Sequence, residues 1–201
     1  MPGFNISEFR EQFRGDGARP NLFSVTINDK KPFWEGSTGF SFFCRASQIP
    51  GMTQGVVPVN YMGRQVKFAG NKTYADWTVT VMNDENFAHR SQFERWFNNM
   101  NGATSNQRVT GATGSSLEYV SNIEVVQLSK LGAVGDVGVD NVRKYILSSA
   151  FPTDLSPITL DWGDNDTIEE YTVTFAFDYF TATKGEKSTT GGQIAAHVDV
   201  I

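Results

Sequence analysis

Strict two-residue alternation of apolar and polar side chains limits what this chain can fold into more than any other feature. Tyr171, Val173, Phe175, Phe177 and Tyr179 face one way, with Thr172, Thr174, Ala176 and Asp178 facing the other. Ala75, Trp77, Val79 and Val81 alternate in the same manner with Asp76, Thr78, Thr80 and Met82. Successive side chains of a strand point to opposite faces, so each run describes a strand with one face on a core. The second run lies in the stretch Met62–Glu85, which predicts a hairpin followed by a helix start. Its turn is carried by Gly70 and Asn71, two residues that tolerate positive φ. Asn83 or Asp84 then caps the amides of the following helix.

The remaining segments extend this pattern. Ile6, Phe9 and Phe13 fit either a short amphipathic helix ending at Gly15 or a mobile arm whose apolar residues dock on another subunit. NLFSVTI (21–27) is a strand, FSFFCRAS (40–47) a strand covered on both sides, and Val56–Tyr61 a further extended run. From Asp84 to Met100 the period turns helical. Phe93, Trp96, Phe97 and Met100 form one stripe, and Arg90 and Glu94 form an i,i+4 pair outside it. Residues 103–118 read as a long loop. Strands resume at Tyr119–Ser129 and Val142–Phe151 around a glycine-rich tip, and Ile158 and Leu160 open another extended stretch. The expected fold is mainly β, a β-sandwich or barrel-like domain with one packed helix at about 84–101. Its boundaries are an arm (1–20), a β-domain (21–180) and an extension (181–201). The expected core is Trp77, Val79, Val81, Phe93, Trp96, Phe97, Tyr171, Val173, Phe175 and Phe177.

Chemistry is sparse in this sequence. The 201 residues carry a formal net charge of −5, which argues against gripping nucleic acid by phosphate neutralisation but not against nucleic acid sliding past. A single cysteine, Cys44, rules out an internal disulfide and fits a reducing compartment. It sits among phenylalanines and reads as a small buried apolar residue. Neither a signal peptide nor a membrane-spanning segment is expected. The acidic run DWGDNDTIEE invites a calcium reading. With Asp161 as first position of an EF-hand loop, however, Asp166 and Thr172 fall where glycine and glutamate belong. Turns whose Asx side chains bond their own backbone explain the run better. His89 shares the helical stripe and reads as a packing histidine, while His197 is far away in sequence. The loops GATGSS and TKGEKSTT lack the phosphate-cradling GxxxxGK[ST] pattern. No catalytic, cofactor-binding or metal-binding residue is expected, nor any enzyme activity.

Several segments, in order, resemble the tail tube proteins of contractile-tailed bacteriophages. They are ARPNLFSVTI (18–27), GRQVKFAGNKTYADWTVTVMNDE (63–85), the helix containing FERW, AFPTDLSPITLDW (150–162) and TIEEYTVTFAFDYF (167–180). The match is most specific through Lys72–Asp84 and covers roughly residues 18–180. The resemblance implies a subunit of hexameric rings that stack into a tube inside a contractile sheath. Such tubes polymerise on a baseplate around a tape-measure protein, and double-stranded DNA later passes through without specific binding. The 103–118 loop and the stretch beyond Phe180 depart from the family pattern. The implied location is the virion tail, assembled in the host cytoplasm.

Tube assembly gives roles to residues without chemistry. Strands of neighbouring subunits would complete a barrel and so cover the edges that a sheet leaves open. The small polar faces then line the lumen, with Gln65, Lys67, Thr78, Thr80, Thr172 and Thr174 as candidates. Arg64, Lys67 and Lys72 form a basic cluster, which is either a solvated strand face or a partner for acids such as Asp76 or Asp84 across a subunit boundary. Arg64, Lys72, Asp76 and Asp84 are accordingly the inter-subunit candidates. Two other readings stay open: the tube of a headless contractile injection particle that delivers protein or depolarises a membrane, and a monomeric β-sandwich binding module.

Overall fold

The computed structural model describes residues 6–12, 17–27, 34, 40–108, 119–130 and 141–184. Among these residues, nine strands and three helices follow in chain order: α1 (Ile6–Gln12), β1 (Phe23–Ile27), α2 (Phe40–Phe43), β2 (Cys44–Ser47), β3 (Met52–Tyr61), β4 (Arg64–Tyr74), β5 (Trp77–Met82), α3 (Ala88–Met100), β6 (Ser121–Leu128), β7 (Asn141–Leu155), β8 (Glu170–Ala176) and β9 (Tyr179–Lys184). Seven strands form one sheet in the order β1-β6-β7-β8-β5-β2, with β9 also paired to β7, while β3 and β4 pair only with each other.

Strand β7 turns the large sheet around a corner. Its first part pairs with β6 and with β9, from Arg143↔Lys184 to Ser148↔Tyr179, and its last part pairs with β8 from Phe151↔Ala176 onward. Strands β8 and β9 thus run along β7 in one register. The bend falls at Ser149, whose φ is 57°, and beside it the Asp178 N–H donates to the Ser148 carbonyl at 3.2 Å. A strand that bends there keeps its ladder while changing leaf. Pro152, which has no N–H to give, sits beside the irregularity between Pro152 and Asp154. The outer ends of the two leaves approach at Ser24 Oγ and Ser41 Oγ, 3.0 Å apart. No pairing joins β1 to β2, so the described strands do not close into a barrel.

Alternation decides the core. Val25 and Ile27 of β1, Ile123 and Val125 of β6, and Leu147 of β7 are buried with Trp77, Val79 and Val81 of β5 and Tyr171, Val173 and Phe175 of β8. Each such burial contributes roughly 1.5–3 kcal/mol for a Val or Phe side chain. Helix α3 lies over this face with Phe93 and Trp96 fully buried. Phe93 meets Tyr171 and Phe175 at ring distances of 6.3 and 6.0 Å, and Trp34 meets Phe93 at 4.9 Å. The indole N–H of Trp77 donates to the Gln48 carbonyl and that of Trp96 to the Tyr119 carbonyl, both at 2.6 Å. These two indoles therefore enter the core with their polar edges satisfied, while the Trp34 indole N–H and the Tyr171 hydroxyl are buried without a hydrogen-bond partner among the described residues.

Several local expectations are corrected. Helix α3 begins at Ala88, not near Asp84: Phe87 precedes it in a left-handed conformation, and Asp84 Oδ1 accepts the Ala88 N–H at 2.9 Å from one turn away. Its buried stripe is His89, Phe93 and Trp96, with Met100 packed alongside, and Phe97 is only half-buried. Phe40–Phe43 form a helical turn rather than strand, because Phe40 packs on Trp34 and Phe93 while Phe42 points to solvent. The alternation beyond Phe175 weakens at the corner, leaving Phe177 half-buried and Tyr179 exposed. Ile158 and Leu160 lie outside any strand, and β9 carries the β-domain to Lys184, past the expected boundary at 180. The helix α1 exposes Ile6 and Phe9. Phe13, His197, residues 109–118 and 185–201 lie outside the described residues.

Candidate functional site

The β3–β4 hairpin is the part of the molecule whose sequence and surroundings disagree. Its ladder runs from Met52↔Tyr74 to Tyr61↔Arg64, closed by Met62 and Gly63 at φ 45° and 76°. Two positive φ values in a two-residue loop are the hairpin turn that matches strand twist. The turn is therefore at Met62–Gly63, eight residues before the Gly70–Asn71 expected from sequence. Gly70 and Asn71 instead lie within β4, where three steps of β4 oppose two of β3 between Gln54↔Lys72 and Val56↔Ala69. This is a β-bulge. It needs glycine on both strands: a Cβ on Gly55 would stand 3.0 Å from the Asn71 carbonyl oxygen, and one on Gly70 3.1 Å from the Gly55 carbonyl carbon.

Register sorts the hairpin side chains into two faces. Val57 pairs with Phe68, Val59 with Val66 and Tyr61 with Arg64, which makes one apolar face ending in a cation. Pro58 pairs with Lys67, Asn60 with Gln65 and, beyond the bulge, Gln54 with Lys72, which makes the other face largely polar, with Val56 and Ala69 between them. An apolar face of this kind normally lies on a core. Here both faces are open to solvent, and Val57, Val59, Tyr61, Val66 and Phe68 are all exposed. The hairpin is anchored at its base, where Tyr74 meets Phe177 and Phe180 at ring distances of 5.8 and 5.4 Å.

The six lumen candidates fall in two places. Thr78 pairs with Thr174 and Thr80 with Thr172, so these four half-buried threonines share one sheet face. They lie opposite Trp77, Val79 and Val81, hence away from α3. Asp154 stands opposite Thr174, and the Thr153 hydroxyl donates to the Thr174 carbonyl at 3.2 Å. Gln65 and Lys67 are elsewhere, exposed on the polar face of the hairpin. Of the inter-subunit candidates, Arg64 is next to the hairpin tip, Lys72 is on its polar face and Asp76 is in the exposed link to β5. Asp84 is engaged at the start of α3.

Other charged groups serve the subunit. Arg45 pairs with Glu170. Lys144 Nζ meets Glu124 Oε2 at 2.8 Å. Arg90 bonds Glu94 Oε1 at 3.2 Å and the Ser156 carbonyl at 2.9 Å, with its guanidinium 5.1 Å from the Tyr171 ring centre. Burial pushes the Cys44 thiol up to about 12 and raises the Tyr171 phenol, so neither supplies an anion near neutrality. Burial also lowers the His89 pKa, against the opposing pull of the Asp84 charge and of its hydrogen-bond contact with Gln92. The 157–170 segment is held by Asx turns, with Asp161 Oδ1 accepting the Gly163 N–H at 2.8 Å. Among the described residues, no three His, Cys, Asp or Glu side chains gather to hold a metal ion.

Sequence reading missed both the exposure of the hairpin and that of the 157–170 segment, where Leu160, Trp162 and Ile168 stand in solvent. A signal was present for the first: Val57, Val59 and Tyr61 alternate on one side of Met62–Gly63, as Val66 and Phe68 do on the other.

Comparison with known proteins accounts for a chain organised in this way. It is 35% identical over 167 residues to tail tube protein gp19 of Enterobacteria phage T4, covering 83% of this chain and 92% of that protein. The same figures hold for tail tube protein gp19 of Enterobacteria phage T6. Its fold is similar to a chain in the extended sheath-tube complex of an extracellular contractile injection system, PVC, with a TM-score of 0.57 at 15% identity over 90% of this chain and 99% of that one. It is also similar to a chain of the anti-feeding prophage cap, with a TM-score of 0.58 at 14% identity over 84% and 92%. The profile of the family described as phage tail tube protein matches residues 8–183, and the chain belongs to that family, as a structural protein of the inner tail tube.

Proposed function

We propose that this chain is the repeating subunit of a phage inner tail tube, six copies to a ring, with rings stacked inside a contractile sheath on a baseplate and around a tape-measure protein. The role is structural, with assembly in the host cytoplasm and residence in the virion tail. The observation that carries the reading is a family member with an extended hairpin whose apolar face is exposed, with no described residue of its own subunit covering it. Burial of that face against other copies supplies the driving force for assembly. In the ring, the Thr78, Thr80, Thr172 and Thr174 face lines the lumen and neighbouring sheets complete a barrel. Gln65 and Lys67 reach the same wall from the hairpin, while Arg64, Lys72 and Asp76 lie at subunit boundaries. A formal charge of −5 per copy, repeated around the ring, repels phosphate, so double-stranded DNA passes without adhering.

Negative-stain imaging of the purified protein tests this. Rings or tubes with six-fold end views are expected; particles of single-subunit size at every concentration overturn it. A second reading, the tube of a headless injection particle, is favoured by fold neighbours from contractile injection systems. DNA-filled heads joined to tubes in the source lysate decide for the phage.

A further inference from the structure

The hairpin and the 157–170 segment lie at opposite ends of the same pair of strands. Tyr74 leads from the hairpin into the start of β5 at Trp77, which pairs with Phe175. The 157–170 segment enters β8 at Glu170, which pairs with Met82 at the far end of β5. It is tied there by Asn83 N–H to the Glu169 carbonyl at 2.8 Å and by Ser156 N–H to the Thr172 carbonyl at 2.9 Å. The six residues of β5 separate the two points of attachment by roughly 20 Å along the strand.

Their chemistry is complementary. From Ala46 to Ala75 the chain has no acid and carries Arg64, Lys67 and Lys72. From Asp154 to Glu170 it has no base and carries Asp154, Asp161, Asp164, Asp166, Glu169 and Glu170. Each also exposes large apolar side chains: Val57, Val59 and Phe68 on one, Leu160, Trp162 and Ile168 on the other. Two unlike, matching surfaces at opposite ends of a subunit produce a head-to-tail contact that repeats from copy to copy. We infer that the apolar face of the β3–β4 hairpin of one copy docks on Leu160, Trp162 and Ile168 of another, with Arg64 set among the carboxylates of that segment. This rests on the tube reading and names the surface that receives the hairpin. Apolar burial supplies the affinity, and opposite charge selects this pairing over hairpin on hairpin, which would set Arg64 against Arg64.

The chain carries its own probe. Trp34, Trp77 and Trp96 are at most 2% exposed, whereas Trp162 is fully exposed, so acrylamide quenching of dilute subunits reports on Trp162. In assembled tubes most of that quenching is expected to be lost. Two single variants, Tyr61→Cys and Leu160→Cys, mixed before assembly, are expected to crosslink through a short bismaleimide, and only to each other. Buried Cys44, with its raised thiol pKa, stays silent. Arg64→Glu is expected to abolish tubes and, mixed with Asp164→Arg, to recover them in part. If wild-type tubes form while Trp162 quenches as in free subunits and no crosslink appears, the docking is overturned and the tube reading stands. If the wild-type chain forms no ring or tube at any concentration, both fall.

Discussion

Strands β5 and β4 are neighbours in the chain and alike in pattern, yet their apolar residues end in opposite surroundings. Trp77, Val79 and Val81 of β5 are buried beneath α3, while Val66 and Phe68 of β4 stand in solvent. The difference lies in what each strand has beside it. β5 is flanked by β8 and β2 and roofed by Phe93 and Trp96, whereas β4 pairs, among the described strands, with β3 alone. An isolated two-stranded ribbon is marginally stable in water, and a persistent apolar face on one marks a surface awaiting a partner. Period-2 alternation therefore states that a face will be buried, but not by which molecule. In β5 the subunit supplies the cover; in β4 the docking proposed above would supply it.

The comparison breaks most visibly at Trp77. Trp77→Ala removes a side chain in contact with Phe175 and a hydrogen bond to the Gln48 carbonyl. It is expected to lower subunit stability by about 3–5 kcal/mol, read from the denaturant midpoint, and to prevent tubes. Wild-type melting with normal tubes would show that β5 is not where the subunit's stability resides.

That ranking explains what could be read from the sequence. β5 and β8 were legible because the partner that enforces their period is in the same chain, and the aromatic stripe of α3 is the matching surface. The hairpin turn was not. Gly-Asn satisfies a turn and a bulge equally well, and only the pairing of Val56 with Ala69 distinguishes them. Met62 hides the true turn, since methionine rarely takes positive φ. The corner at Ser149 and the helical turn at Phe40–Phe43 were invisible for a related reason: both depend on contacts far away in sequence, with Asp178 and with Phe93. The threonine face could be assembled as a list, but its pairing of Thr78 with Thr174 and Thr80 with Thr172 required the register.

A smaller effect is expected where α3 begins. Asp84→Ala leaves the Ala88 N–H without its acceptor and should cost about 1 kcal/mol by chemical denaturation. The helix that roofs β5 would fray at that end while the hairpin stays unchanged, so amide exchange should rise at Ala88 and not in β3 or β4. Equal rises in both would mean that the two regions are not independent.

The roof also gives the subunit a pH dependence. Burial holds the folded-state pKa of His89 below its unfolded value near 6.5, so the unfolded chain binds more protons in the window beneath 6.5. The contribution is fully present above that value and is lost as pH falls toward the folded-state pKa. A titration of stability from pH 7.5 to 5.0 should fall, and His89→Gln should flatten it. An unchanged slope in the variant would assign the fall to other groups. The hairpin contains no histidine, so Tyr61 and Val66 amides should show no parallel loosening.

The smallest expected effect on the subunit is the one that most sharpens the contrast. Phe68→Ser replaces an exposed aromatic residue in β4, and away from a core such a change alters stability by no more than about 0.5 kcal/mol. The ring contributes to the hairpin's apolar face opposite Val57 and stands more than half exposed. Dilute subunits of this variant should unfold at the wild-type denaturant midpoint, yet sedimentation at high concentration should show them failing to form tubes. Val79→Ser makes the corresponding change on β5 and should lower the midpoint even in dilute subunits, because Val79 is buried. If Phe68→Ser shifted the dilute midpoint as far as Val79→Ser, the hairpin would be packed on its own subunit. If it left both stability and assembly intact, its apolar face would have no partner to meet. Only a variant that is silent in the subunit and defective in the tube places the missing cover of β4 in another copy of the chain.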